Sequence, residues 1–418
     1  MAERESESSL AQENTGFWAA PHRVLFPAAY LCAVYVVFWW PLGEAIGIPP
    51  PAMRPPVLWH LHELLFGFGG AALGGYLLTA LPSWTGGGRL LSGAPLKLLF
   101  GCWLLSRLSA AGTGGLPAWG LLLPGCAYFL FLGFMLLPPV LKARAHSKLP
   151  LALSPLLLGA LQASLLLAVS SGEVWSGLEA GRLALWGFLG LIILVGGRAV
   201  PAFTRNALAL TGHRAKVAES RGAQALALVL WGLLLLSMIG PQAQVQHGLQ
   251  LALALVLLWS MRGWHSFWAA RSMLLFSLHL AYLWLPIALL LQGGGGLLAH
   301  YDLYPMPRRQ DLLHGASIGA MSLMIMAISG RAAAHRPGGE MRARLGFILG
   351  FALVWLSATL RLVVGIVPDH GAALISLSAG AWCLGWLCFG IGFLPALRGP
   401  LQRPVLSGKR HKSQNPLS

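Results

Sequence analysis

The sequence is poor in charged residues, and this shortage decides its class. Only 10% of the 418 residues are Asp, Glu, Lys or Arg, whereas 56% are apolar and the mean hydropathy is +0.68. A soluble domain carries about 25% charged residues, so a folded surface with so few of them could not stay hydrated. A water-soluble globular protein is therefore excluded, and we expect the chain to lie in a lipid bilayer.

Other absences narrow the chemistry. The five cysteines form no C-x-x-C pair and no C-x-x-C-H sequence, which argues against a zinc or dithiol site and against covalently attached haem. The sequence begins MAERESESSL and lacks the basic start of a cleaved signal peptide, so the first apolar run is expected to remain as a helix. The net charge of +16 is scattered among apolar runs, and no nucleic acid partner is expected.

Long apolar runs are abundant, and their order predicts an all-α polytopic membrane helix bundle with about 12 transmembrane helices. They are continuous and rich in Leu, Ala and Gly, unlike the alternating strands of an outer-membrane barrel. We expect one domain over residues 24–396, with a polar N-terminal segment before it (1–23) and a basic C-terminal tail after it (397–418). A ten-span arrangement is the alternative. The predicted spans are 24–46, 58–80, 93–112, 116–141, 150–170, 182–200, 222–240, 246–263, 271–291, 311–330, 343–366 and 374–396.

The distribution of basic residues orients this arrangement. If the termini and the even-numbered connections share one side, that side receives 23 of the 29 Lys and Arg residues. Because cytoplasmic loops carry the excess of basic residues, both termini are predicted to be cytoplasmic. The opposite side receives Arg54, Arg107, Arg182, Arg308, Arg309 and Arg361.

The second predicted span begins with a cluster of ionisable residues, Trp59-His60-Leu61-His62-Glu63. An ionisable side chain within a membrane span is a candidate for function by default, and histidine is the commonest metal ligand. Residues i and i+2 of a helix differ by about 200°, so His60 and His62 should point to opposite sides and serve different centres. We take both as candidate metal ligands and Glu63 as the candidate catalytic carboxylate. An interfacial cluster facing lipid head groups is the alternative.

Three further histidines are candidate metal ligands. His279 lies mid-span, where an unpartnered imidazole is costly; an interhelical hydrogen bond is its alternative role. His314 opens the tenth span and shares a helix face with Asp311 at i, i+3. His335 would lie about 30 Å from His314 on a continuous helix, so it is either part of a second centre or a loop residue.

Three methionines and two arginines are weaker candidates. Met321 would return to the His314 face, with Met324 and Met326 nearby, and thioethers suit copper(I) or haem iron; ordinary packing is more common for methionine. Arg198 and Arg205 end the sixth span and could clamp a haem propionate or a lipid phosphate. An ordinary cytoplasmic anchor is the alternative for these arginines.

Three blocks of the sequence contain most of these candidates. They are Trp59-His60-x-His62-Glu63 through Phe66-Gly67-Phe68 to Leu77-Leu78-Thr79-Ala80-x-Pro82-x-Trp84-Thr85-Gly86, then Gly197-Arg198-x-x-Pro201-x-Phe203-Thr204-Arg205-Asn206, and His314-Gly315-Ala316-Ser317-Ile318-Gly319-x-Met321 through Arg331 to His335. Together these blocks resemble the NnrS family of polytopic bacterial membrane proteins, over about residues 22–340. Where this family usually closes the tenth span with Gly-His-Thr-Gly-Arg, the chain instead reads Ala334-His335-Arg336-Pro337-Gly338.

The resemblance implies a haem- and copper-containing protein of the bacterial inner membrane, associated with nitric oxide. The matching positions are His60, His62, Glu63, Arg198, His279, His314 and His335. The haem would be non-covalent and b-type, and a membrane or soluble donor would supply electrons if the protein acts as a nitric oxide reductase-like oxidoreductase, with Glu63 relaying protons. The shortage of buried carboxylates argues against a proton pump. A transporter of a small metabolite or metal, and a non-catalytic sensor of NO or haem, are the alternatives.

Overall fold

The computed structural model describes residues 16–112, 116–213, 216–240, 242–303, 309–337, 340–365, 367–401 and 404–407. Within these ranges the chain is helical and contains no strand longer than an isolated bridge between His335 and Arg342. The all-α prediction is therefore confirmed. Most of the predicted polar N-terminal segment and basic C-terminal tail lies outside the described residues.

A helix forms at each of the twelve places where an apolar run predicted one. Six of them contain an internal proline that does not end the helix, for example Pro27, Pro155, Pro201 and Pro286; the other two are α2 and α4. The helices are α1 Pro21–Ala45, α2 Pro56–Trp84, α3 Ala94–Ala111, α4 Ala118–Lys142, α5 Leu149–Ser171, α6 Val174–Leu210, α7 Arg221–Ser237, α8 Ala243–Met261, α9 Met273–His300, α10 Gln310–Ala332, α11 Leu345–Val363 and α12 Gly371–Phe393.

Nine of the described helices are long and apolar enough to cross a bilayer. The other three, α3, α7 and α8, are shorter or less apolar; α7 has 17 residues, and α8 begins with the polar sequence AQVQHGLQ. A multi-pass membrane protein is thus supported. The count of twelve spans and the cytoplasmic position of both termini remain predictions.

The helices fall into two compact units, which we describe separately. Unit 1 comprises residues 1–188 and 376–402, and unit 2 comprises residues 189–375 and 403–418. Boundaries between the units fall within α6 and within α12. The prediction of one membrane domain over residues 24–396 refers to the part of the chain that lies in the bilayer. The two units do not test it, and it remains a prediction.

Unit 1 is built around α2 and α4. Helix α1 packs on α2, while α4 packs on both α3 and α5. The contact between α12 and α1 is aromatic and polar, since the indole N–H of Trp382 donates to the carbonyl of Ala33 at 2.9 Å and the ring of Tyr30 meets that of Phe389 edge-on. The side chains at the centre of this unit are thereby shielded on several sides by packed helices.

Unit 2 follows the order of the chain, with α7 against α8, α8 against α9, and α10 against both α9 and α11. Glycines allow the closest approach: a Cβ at Gly296 would lie 2.3 Å from the ring of His247. His247 lies in α8, and His300 lies at the end of α9. The polar start of α8 is tied to α9 by side-chain hydrogen bonds between Gln250 and Gln292 and between Gln244 and His300.

Three of the described helices contain a π-helical stretch: one lies in α1 at Phe38–Leu42, and the other two directly follow a histidine. In α2 the stretch runs from Glu63 to Gly69, after His62, and in α10 it runs from Gly315 to Ser322, after His314. Such stretches are uncommon in proteins, but those that occur are often found at functional sites. The two stretches that follow His62 and His314 therefore mark these regions as candidate sites.

Trp231 of α7 packs against Gly190 of α6. This contact predicts the effect of a substitution at the glycine. A Cβ at Gly190 would lie 2.4 Å from the indole ring of Trp231, whereas a Cβ at Gly187 would lie 3.6 Å from Leu158, an ordinary contact. Gly190→Ala should therefore destabilise the protein by about 1–3 kcal/mol through overpacking, and Gly187→Ala should not. Thermal unfolding in detergent measures both; equal midpoints for the two variants would refute the packing.

Candidate functional site

A closed ring of five buried polar side chains lies at the centre of unit 1. The imidazole Nδ1 of His62 lies 2.8 Å from Oε1 of Glu63, and Nε of Arg107 lies 2.9 Å from Oε2 of the same carboxylate. Arg107 also donates to Oγ of Ser106 at 2.8 Å. The amide nitrogen of Gln162 completes the ring, lying 2.9 Å from Nε2 of His62 and 3.3 Å from Oγ of Ser106.

The ring fixes the tautomer of its histidine. The Glu63 carboxylate faces the permanent charge of Arg107 and accepts the Nδ1–H of His62. The Nε2 atom of that neutral imidazole then carries a lone pair, which accepts from the amide of Gln162. Glu63 and His62 are both fully buried, so in a membrane helix each depends on these partners.

The local sequence of α2 makes room for this ring. A Cβ at Gly67 would lie 2.8 Å from Nη1 of Arg107 and 2.9 Å from Sγ of Cys32, so only glycine lets Arg107 pass to Glu63. Carbonyls along the π-helical stretch also accept from other helices: Trp103 donates to Gly67 at 3.0 Å and Cys32 to Glu63 at 3.7 Å. The widened turn is thus held in place by α1 and α3.

His60 is separate from this ring, as the helical geometry predicted. Its imidazole meets the indole of Trp40 edge-on, with ring centroids 5.3 Å apart. The His62 imidazole instead contacts Glu63, Gln162 and the ring of Phe66. The two histidines therefore do not share a centre.

His314, in unit 2, presents an imidazole nitrogen that no described protein group engages. Its Nδ1 lies 2.6 Å from the carbonyl oxygen of Gln310, one turn earlier. A carbonyl only accepts, so Nδ1 carries the proton and Nε2 carries the lone pair. This is the arrangement typical of a metal-ligating histidine, in which one ring nitrogen is oriented by an oxygen acceptor while the other binds the metal.

An ion pair flanks His314. The Arg361 guanidinium of α11 pairs with the carboxylate of Asp311; the Asp311 side chain is buried, and that of Arg361 is 12% exposed. The expected return of Met321 to the His314 face does not carry over, because a seven-residue spacing holds for an α-helix and residues 315–322 are π-helical. Met321, Met324 and Met326 are all buried, as ordinary packing would place them.

His279 is buried and hydrogen-bonded through both ring nitrogens. Thr204 donates its hydroxyl to the carbonyl of Val200 at 2.8 Å, so its oxygen accepts from Nε2 of His279 at 2.9 Å. The hydroxyl of Ser266 donates to Nδ1 at 2.9 Å. This geometry matches the interhelical hydrogen bond that was the alternative role for His279, and it leaves no ring nitrogen open for a metal.

His335 is exposed and lies outside any helix. Helix α10 ends at Ala332, and His335 pairs through its backbone with Arg342 in the isolated bridge. The geometry favours a loop residue over a second centre. The neighbouring Arg336 donates to the backbone carbonyls of Pro404 and Val405, and its partial burial lowers the pKa of its guanidinium.

The two arginines at the end of α6 are exposed. Arg205 forms an ion pair with Glu219, whereas Arg198 has no described protein partner. They lie seven residues apart on one helix face. Both are available at the surface, as a cytoplasmic anchor or a ligand clamp would require.

The candidate residues thus occupy several separate sites. Among the described residues, no three His, Cys, Asp or Glu side chains converge on a point that could hold a metal ion. Sequence reasoning missed Arg107, Ser106, Gln162 and Arg361. A basic residue within an apolar run was the signal for Arg107 and Arg361, but both had been counted with the loops of the side opposite the termini.

Comparison with known proteins identifies the chain. The family described as NnrS protein matches residues 16–400, nearly the whole chain, and the protein belongs to this family. No curated protein is similar enough to be matched.

The buried ring generates a prediction about stability. Arg107→Met leaves the Glu63 carboxylate buried without its cation, and breaking a buried ion pair in this way costs about 3–5 kcal/mol. The double variant Arg107→Met/Glu63→Gln should recover part of this loss because the uncompensated charge is gone. Thermal unfolding of the single and double variants measures it. Losses that simply add would show that the two residues are not coupled.

Proposed function

We propose that this NnrS-family protein binds haem non-covalently through His314 in the bacterial inner membrane and acts on nitric oxide. In this role it binds NO and reduces it, with electrons from a membrane or soluble donor, and so limits nitrosative damage. Copper is the second cofactor of the proposal. Haem, copper and NO come from the resemblance to the family, whereas the choice of His314 comes from the geometry.

The observation that carries the choice of ligand is the open Nε2 of His314. Haem iron is commonly held by a single histidine, so this cofactor does not need a cluster of converging ligands. The Gln310 carbonyl fixes the tautomer in which Nε2 is the free lone pair. His279 lacks such an open nitrogen because both of its ring nitrogens bind hydroxyl groups.

Haem iron, when bound, supplies a site where NO can bind; the remaining roles belong to the side chains of the chain itself. Glu63 accepts a hydrogen bond from Nδ1 of His62, and Arg107 pairs with the same carboxylate. The exposed Arg198, which the predicted topology puts at the other end of the membrane from His314, is available to an anion on that side. NO is small and apolar enough to arrive through the lipid, so no polar channel is required.

The residues fit copper less well. Imidazole and thioether groups suit copper, but the candidate histidines do not converge in the described part of the chain. We therefore assign no copper ligand, and the copper component rests on the family resemblance alone.

Metal analysis and absorption spectroscopy of the purified full-length protein test the proposal. The protein should contain haem and copper, and its Soret band should shift when NO is added. His314→Ala should lose haem, while His370→Ala, which removes an exposed histidine of the same unit, should retain it. Consumption of NO with an electron donor then separates an enzyme from a sensor.

Two results would contradict the proposal. A folded preparation without haem would refute the cofactor and with it the role in binding NO. Full haem content in His314→Ala would refute the ligand, whatever the activity of the protein.

A further inference from the structure

We propose that the ion pair of Asp311 and Arg361 positions His314 for ligand binding. Arg361 thereby acts as a positioning residue: it does not touch the ligand but sets the orientation of the imidazole that does. The identity of the ligand as haem rests on the proposed function, whereas the positioning itself is a property of α10 and α11.

His314 lies on a short segment that needs external support. The α-helical part of α10 before the π-helical stretch is Arg309–His314, only six residues. The π-helical stretch separates this segment from the second α-helical part of α10, Leu323–Ala332, so its position depends on the helix packed against it. The hydrogen bond that fixes the imidazole runs within this segment, from His314 to the carbonyl of Gln310. A shift of the segment would therefore move both the imidazole and the acceptor that orients it.

Helix α11 contacts this segment on both sides of His314. Before it, Asp311 pairs with Arg361. After it, Gly315 lies against the next residue of α11, since a Cβ at Gly315 would be 3.2 Å from Cδ2 of Leu362. Two adjacent residues of α11 thus contact positions three before and one after the histidine.

The chemistry of this ion pair suits a positioning role better than a purely stabilising one. A buried ion pair gives little net stability over a well-packed apolar pair, because desolvation of the two charges offsets their attraction. The guanidinium fork, however, binds a carboxylate in a fixed geometry. The pair therefore specifies the register of α10 on α11, which an apolar contact would leave less defined.

Charge variants test this proposal with two measurements. The variants are Arg361→Gln, Asp311→Asn, the neutral pair Asp311→Asn/Arg361→Gln and the exchanged pair Asp311→Arg/Arg361→Asp. Arg342→Gln is the matched control, because it breaks the exposed ion pair of Arg342 with Glu340 in the same unit. The first measurement uses haem-free protein: the rate at which diethyl pyrocarbonate modifies His314, followed by peptide mass spectrometry. The second uses haem: its affinity and the iron–histidine stretching frequency.

The two single variants should raise the modification rate of His314, because the imidazole is released from its oriented position. They should also weaken haem binding by about 10-fold or more, as loss of an outer partner of a metal-ligating histidine typically does, and shift the iron–histidine frequency. The exchanged pair should restore all three values towards those of the parent protein. Should the single variants fold poorly, the neutral pair, which leaves no uncompensated charge, should show the same changes.

The outcomes separate this proposal from the proposed function. If the charge variants match Arg342→Gln in both measurements while His314→Ala loses haem, the positioning is wrong and the function stands. If the charge variants change the modification rate while His314→Ala keeps its haem, the positioning stands and the haem ligand is wrong.

Discussion

Absence of water inside the bilayer is the constraint on which the rest of this structure depends. A polar side chain in a membrane helix must find its partner within the protein. The buried carboxylates near His62 and near His314 both follow this rule. Glu63 meets Arg107, and Asp311 meets Arg361. Because partners are so few in a chain with 10% charged residues, each pair specifies which helices must lie together.

The helices were predictable from the sequence because their causes are local. Long apolar runs form helices in a bilayer, and proline- and glycine-rich turns separate them, so a helix appears at all twelve expected places among the described residues. Counting basic residues gave an orientation but treated Arg107 and Arg361 as loop anchors. Both lie inside helices, opposite acidic residues 44 and 50 positions away along the chain. No local pattern encodes such a pairing.

The candidate site was predictable in its residue types and not in their relations. Geometry alone separated His60 from His62, as the helical period required. The partner that caps His62 could not be foreseen, because Gln162 is a neutral residue 100 positions away. The π-helical stretches could not be predicted from the sequence either. Their carbonyls accept hydrogen bonds from donors on other helices, such as Trp103. What a histidine does therefore depends on contacts that only the folded chain brings together.

The comparison of His62 with His314 shows how such contacts divide roles between similar residues. Each precedes a π-helical stretch, and each gives its Nδ1 proton to an oxygen acceptor. Their chemistry differs at the other nitrogen, which Gln162 occupies at His62 and no described group occupies at His314. A lone pair that already accepts a hydrogen bond must lose it before binding a metal, while an open one has nothing to lose. Ligation is therefore favoured at His314, and the ring around His62 is better suited to holding a charge in place.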